Sequence, residues 1–190
     1  MYDVARLHAA LNDLPAALLL AGVIFDLLAA GTKRDGFRIA GFWMIVSGAG
    51  GAGLALATGL LAEKTVEHGE AMHSVMQQHE TLAIATTVLF GAIALWRIIR
   101  RGQMSPKEQP VLLTAGVIGL GLLLVTAQRG GALVFEWAGG IPTASLQRAL
   151  DDRGAHRHSA TEAPEPTVAA PADTSDSTAS HPPGTPPHQH

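Results

Sequence analysis

The sequence lacks cysteine and is poor in charged residues. The complete absence of cysteine from its 190 residues excludes disulfides, thiolate metal sites and cysteine nucleophiles. Charged residues make up only 15% of the chain, against about 25% in soluble domains. The net charge of −3 lacks the basic excess typical of nucleic-acid-binding proteins, so nucleic acid is not expected as a partner. This composition favours a membrane protein over a soluble one.

The chain also lacks the motifs of the common hydrolases. It contains no nucleophile–base arrangement, no phosphate-binding loop and no zinc-protease motif. Whether the protein is an enzyme stays open at this point, and the missing motifs argue against a hydrolase.

Long apolar runs are what the sequence has in abundance. Four of them are nearly free of charge: Leu14–Ala30, Gly41–Ala62, Thr81–Trp96 and Val111–Ala127. Each is close to the roughly 20 helical residues that cross a bilayer core of about 30 Å. The alternative is a soluble helical bundle, but soluble helices carry a polar stripe that these runs lack. The sequence therefore predicts an all-α fold, a bundle of four transmembrane helices in a lipid bilayer.

Two details of these runs lead to structural expectations. The dipeptide Leu14-Pro15 after Asp13 is typical of a helix start, which would make residues 1–11 a separate interfacial helix. The alternative is one helix that continues through Pro15 and carries both His8 and Asp26. The second run is rich in glycine and alanine four residues apart, which lets helix backbones approach closely in lipid. We therefore expect the second helix at the centre of the bundle.

The composition changes near Pro142. Residues 142–190 are dominated by Pro, Ala, Ser, Thr, Asp and His, and such a segment buries too little apolar surface to fold. The sequence thus predicts a membrane domain over residues 1–141 and a disordered tail over residues 142–190. The tail contains five scattered histidines that could bind metal weakly: His156, His158, His181, His188 and His190.

The basic residues near the spans are distributed unevenly. Seven lie on one side, Lys33, Arg34, Arg38, Arg97, Arg100, Arg101 and Lys107, and three on the other, Arg6, Lys64 and Arg129. Because basic loops stay in the cytoplasm, we expect a cytoplasmic-membrane protein with both termini outside. The polar connection 63–80 between the second and third runs would also lie outside.

This outer side gathers imidazoles and carboxylates. The connection 63–80 holds three of the nine histidines and four glutamates, and His8 and Asp13 belong to the same side. Imidazole and carboxylate bind zinc, copper or non-haem iron, and two imidazoles from different helices can hold a haem. The alternative is that these side chains are merely solvated or packed. Within the first run, Asp26 is either part of a proton relay or salt-bridged to Arg38 or Arg97.

Several segments resemble, in order and spacing, small four-span bacterial membrane proteins catalogued as domain of unknown function 2231. They are the opening 7–19, Phe25-Asp26-Leu27-Leu28, Ala57-Thr58-Gly59-Leu60-Leu61, His79 and Gly130-Gly131-Ala132-Leu133-Val134-Phe135. The resemblance covers about residues 7–141 and implies the bacterial inner membrane. Because members are sometimes fused to Rieske or cytochrome c modules, it also implies a redox setting. Membrane redox proteins or cytochromes would then be partners.

Two histidines of the family pattern carry over, His8 and His79. Asp13 stands where the family has its second histidine, and Trp137 stands where another histidine often follows. The resemblance implies that His8 and His79 bind haem b or a transition-metal ion, and Asp13 keeps a possible ligand for a metal ion at the place of the missing histidine. His73, which belongs to the outer cluster of imidazoles and carboxylates, is a further candidate metal ligand. The alternatives are a non-catalytic scaffold or assembly subunit and a metal-handling accessory protein.

Overall fold

The computed structural model of the protein describes residues 4–66 and 69–161. These residues form five helices: α1 (Val4–Thr32), α2 (Asp35–Glu63), α3 (Glu70–Ile99), α4 (Glu108–Phe135) and α5 (Thr143–Thr161). Each of α1 to α4 is long and apolar enough to cross a membrane. The predicted all-α fold with four spans is therefore confirmed. Residues 162–190, most of the tail that the sequence predicts to be disordered, lie outside the described residues, and the tail's first part is the helix α5.

Helix α1 is continuous from Val4 to Thr32, with Pro15 inside it. The predicted break at Asp13 is wrong, and Asp13 lies within the helix, where it cannot cap the start of a span. Pro15 is buried against α2, where an ideal Cβ on Gly51 would lie only 2.7 Å from its Cγ. A bare backbone opposite the ring thus makes room for proline in the middle of a long apolar helix.

The polar connection between the second and third spans is shorter than predicted. Helix α2 ends at Glu63 and α3 begins at Glu70, so most of the stretch 63–80 is helical. His79 consequently lies well inside α3 and not at its start. The side chains of Met72 and Met76 on this part of α3 are buried, which fits a packing role. His68, in the connection itself, lies outside the described residues.

The hairpins α1–α2 and α3–α4 repeat the same contacts. Leu19 packs against Gly48 in the first hairpin, and Phe90 packs against Gly119 in the second. Both large side chains are fully buried, at 0% exposure. Each residue of the second pair follows its counterpart by 71 residues, which is also the separation of Asp26 and Arg97. The membrane domain is therefore built from two copies of one helical hairpin.

An approximate two-fold axis relates the two hairpins. His8 meets His79 in the N-terminal part of α1 and α3, and Asp26 meets Arg97 in their C-terminal part, so these two helices run in the same direction. A residue that contacts its own counterpart in the other copy lies beside a two-fold axis between the copies, as both of these pairs do. The axis runs along the bundle between α1 and α3, as in membrane proteins with parallel repeats.

Helix α2 packs against two neighbours, most extensively against α1 and also against α3. Gly48 and Gly51 face α1, whereas Gly50 and Gly53 have no neighbouring atom within 4 Å of an added Cβ. The close backbone approach is confirmed, but it pairs α2 with α1 within one hairpin. The core lies between the two hairpins and consists of Leu19, Val23, Ile45, Ala49, Phe90, Ile93 and Ala94.

Candidate functional site: a pair of histidines

His8 and His79 lie side by side at one end of the two-fold axis. Their ring centroids are 6.5 Å apart and the ring planes cross at 73°. The two residues occupy equivalent positions of the two hairpins, on helices that run in parallel, and this repeat is what brings them together. Their expected proximity is therefore met in the structure, while their role as ligands stays a prediction.

Each imidazole is held by a backbone carbonyl of its own hairpin. Nδ1 of His8 lies 2.9 Å from the Ala55 oxygen, and Nδ1 of His79 lies 3.0 Å from the Thr126 oxygen. In each hairpin the histidine lies 47 positions before the residue whose carbonyl oxygen accepts its hydrogen bond, as expected for two repeats of one hairpin. Because a carbonyl oxygen only accepts, Nδ1 carries the hydrogen in each ring. In the neutral imidazole this leaves the Nε2 lone pair available.

A glycine on the facing helix makes the space for each ring. An ideal Cβ on Gly59 would lie 3.0 Å from Cε1 of His8, and one on Gly130 would lie 2.9 Å from Cε1 of His79. Contacts this short force a ring to move, so glycine is the residue that fits both positions. The small residues in the second half of α2 and at the end of α4 thereby let the imidazoles lie against bare backbone.

The other predicted metal ligands do not complete a set with this pair. Asp13 is exposed on α1, and Nε2 of His73 lies 3.3 Å from Nε2 of Gln77. Among the side chains of residues 4–66 and 69–155, no three of the ligand types His, Asp and Glu are grouped so that they could hold a metal ion. A role of Asp13 and His73 as further ligands stays a prediction.

A buried ion pair occupies the opposite end of the axis. Nη1 of Arg97 donates to Oδ1 of Asp26 at 3.1 Å, and Nη2 donates to Oδ2. The two side chains are 8% and 14% exposed. The sequence left a relay or a salt bridge open for Asp26, and the salt bridge is present, with Arg97 as its partner. A bidentate arginine–carboxylate pair is the arrangement that best compensates buried charge.

No side-chain motif in the sequence identifies the residues that position the imidazoles. Gly59 and Gly130 stand out only as small residues of a span or of segments that resemble the family, and Ala55 and Thr126 act through their backbones. The signal that finds them is the internal repeat: each of these residues has its counterpart 71 positions away, like Asp26 and Arg97.

A family model described as "Predicted membrane protein (DUF2231)" matches residues 5–142 of the chain. The chain belongs to this family. The DUF2231 match spans both hairpins and therefore includes the histidine pair and the buried ion pair. Together with the four membrane-length helices, it identifies an integral membrane protein. No curated protein and no solved structure matches the chain.

Proposed function

We propose that this DUF2231 protein is a redox-associated membrane module that holds a transition-metal centre between His8 and His79. The iron of haem b is the form of this centre that the donor set fits best. The observation that carries the proposal is the identical anchoring of the two imidazoles, each by a carbonyl at its Nδ1.

This anchoring is characteristic of metal-binding histidines. A ligating imidazole usually donates its second ring N–H to a carbonyl or carboxylate, which orients the ring and leaves the other nitrogen for the metal. Two metal–nitrogen bonds of about 2.0–2.1 Å in line separate the nitrogens by about 4 Å. The centroid separation of 6.5 Å between the two rings is compatible with this spacing.

The number of ligands favours haem over a bare ion. The described residues bring no third His, Asp or Glu to the pair. Zinc sites take three or four protein ligands, whereas two histidines from different helices would suffice to hold a haem. A bound haem would supply one-electron chemistry. The role of the protein would be to hold the two imidazoles in fixed orientations on two equivalent helical hairpins.

The proposed location is the outer face of the bacterial inner membrane, with both termini outside. The support is the excess of basic residues at the Asp26 end of the bundle, opposite the histidines. Cytochromes or other membrane redox proteins are the proposed partners, since an outer-face centre would exchange electrons with proteins on that side.

A visible absorption spectrum and metal analysis of the protein purified from its native membrane test the proposal. We expect a haem b spectrum that changes on reduction, is lost in both His8→Ala and His79→Ala, and is retained in the control His73→Ala. Stoichiometric metal without haem, lost in the same two variants, would assign a bare ion to the pair. A protein that carries neither would overturn the proposal.

A non-catalytic scaffold is the second candidate, and the same hydrogen bonds favour it. In lipid, a polar bond between helices stabilises their association, and the His8 and His79 bonds join α1 to α2 and α3 to α4. On this reading the imidazoles are links within the hairpins and bind nothing. The third candidate, a metal-handling accessory, rests on the tail histidines, which lie at or beyond the end of the described residues, and on Asp26, which is paired with Arg97.

A further inference from the structure

We propose that the end of the bundle opposite the histidines binds the phosphate of an anionic phospholipid. The site is a groove between the start of α2 and the α3–α4 loop, lined by Arg38, Phe42, Trp43, Arg97, Arg101 and Gly102, and is called the basic groove below. It is separate from the histidine pair, and the proposal does not depend on a metal there.

Two adjoining cavities form the basic groove. The inner one, of about 80 Å³, lies against the Asp26–Arg97 ion pair, and the outer one, of about 280 Å³, is lined by Arg101. Arg38 and Gly102 line both cavities. Nη1 of Arg38 donates to the Gly102 oxygen at 3.2 Å, which ties α2 to the loop at this point. The groove thus leads from the surface of the bundle to a buried arginine.

Positive charge is in excess around the groove. The nearby carboxylates are already engaged: Asp26 binds Arg97, Asp35 binds Arg38 and Glu108 binds Arg100. Arg101 has no ion-pair partner among the described residues. A left-handed turn with φ of 51° at Arg101 and 72° at Gly102 shapes the edge of the outer cavity. The guanidinium of Arg101 is therefore available to an anion from outside the chain.

A buried arginine also borders the inner cavity. Arg97 lines this cavity, and its side chain is only 8% exposed. Its ion pair with Asp26 leaves the guanidinium as a buried positive charge beside the cavity. A bound anion in the inner cavity would lie next to this guanidinium and interact favourably with its charge. Arginine suits phosphate in particular, because its planar N–H groups match the geometry of the oxygens.

The walls of the groove favour a phospholipid over free phosphate. Phe42, Leu112 and Leu113 line the inner cavity, and Ile39 and Trp43 line the outer one. An exposed tryptophan beside arginines is typical of the membrane interface. Basic pockets between transmembrane helices bind anionic headgroups there. Apolar walls next to Arg101, which has no ion-pair partner among the described residues, fit a ligand that is itself both apolar and anionic.

Binding of phosphatidylglycerol to the purified full-length protein tests the proposal. Native mass spectrometry would compare phosphatidylglycerol with phosphatidylcholine, and thermal unfolding would compare both lipids with inorganic phosphate. We expect preferential binding of phosphatidylglycerol and a higher unfolding temperature in its presence. Arg101→Gln and Arg38→Gln should each weaken binding by about fivefold. The control Arg34→Gln removes an exposed charge at the same end that does not line the groove, and it should change binding little.

Three results would overturn the proposal. One is equal binding of phosphatidylglycerol and phosphatidylcholine by the unmodified protein, which needs no variant to fold. Another is an equal loss in Arg34→Gln and Arg101→Gln, which would indicate a diffuse charge effect. The third is full stabilisation by inorganic phosphate alone with the same sensitivity to Arg101→Gln, which would make free phosphate the occupant.

Discussion

Asp26 and Arg97 occupy equivalent positions of the two hairpins, 71 residues apart, and bind each other across the two-fold axis. In a symmetric pair of hairpins these positions would carry identical residues. Here one copy has the acid and the other the base, so the contact on the axis is an ion pair. At the other end of the axis the equivalent residues are identical, and two histidines meet.

The ion pair should be essential to folding, but it should matter little which of the two positions carries the acid and which the base. Asp26→Asn or Arg97→Gln leaves one buried charge without its partner, and we expect a loss of about 3–5 kcal/mol in unfolding free energy. The exchange Asp26→Arg with Arg97→Asp restores opposite charges at equivalent positions, so it should recover most of this loss. Unfolding in mild detergent measures all three. An exchanged protein as unstable as the single variants would argue against the two-fold relation.

The glycines beside the imidazoles should not accept alanine. Gly59→Ala and Gly130→Ala place a methyl group within about 3 Å of Cε1 of His8 and His79, and overpacking of this kind costs about 1–3 kcal/mol. Gly53→Ala and Gly131→Ala are the controls, because an added Cβ there meets nothing within 4 Å. Thermal unfolding compares the four variants. Equal unfolding midpoints in all four variants would show that the imidazole rings move aside with no loss of stability.

Asparagine at the histidine positions separates a ligand from a structural link. An asparagine amide can donate to a carbonyl as Nδ1 does, but it provides no imidazole for a metal. If the pair holds a metal centre, both His8→Asn and His79→Asn lose it completely. If the rings only link helices, the asparagine variants should retain more stability than the alanine variants. Absorption spectra of these preparations report whether a metal centre is bound, and their unfolding midpoints report stability.

Close packing within each hairpin should be sensitive to side-chain size at one face only. Gly48→Leu and Gly119→Leu introduce large side chains where an ideal Cβ already lies within 3 Å of Leu19 or Phe90. We expect both to reduce the yield of folded protein severely. Gly50→Leu and Gly121→Leu are matched controls, because their added Cβ atoms have no neighbour within 4 Å. Similar yields for all four would contradict the helix contacts described above.

The orientation can be tested directly, because the chain has no cysteine of its own. Single cysteines at the exposed positions Ser74 and Gly36 report on opposite ends of the bundle. From the distribution of basic residues, we expect Ser74→Cys to react with an impermeant thiol reagent in intact cells. Gly36→Cys should react only after the membrane is opened. The reverse pattern would place the histidine pair on the cytoplasmic side.

The sequence predicts the spans well because each depends on a local property, the length of an apolar run. It also narrows the partners of Asp26 to two arginines, since a charge inside a span needs compensation. The break predicted at Asp13 is wrong because the local preference of proline for helix starts is outweighed by packing against Gly51. Such packing depends on a facing helix, which a local pattern does not contain.

The internal repeat is hard to see because equivalent positions often hold different residues. Leu19 corresponds to Phe90, and Asp26 to Arg97. What the two hairpins share is the fit of a large side chain on one helix against a glycine on the other. That complementarity is a property of shape, and it becomes apparent only when the two helices are placed together.

The difference between Asp26 and Arg97 also determines which halves can assemble. Two copies of the first hairpin would bring two carboxylates together on the axis, and two copies of the second would bring two guanidinium groups together. Like charges facing each other in an apolar interior are strongly unfavourable. Only a mixed pair neutralises the contact. The charge on the axis therefore determines which hairpins can pair. Each hairpin of this chain can pair with the other one but not with a second copy of itself.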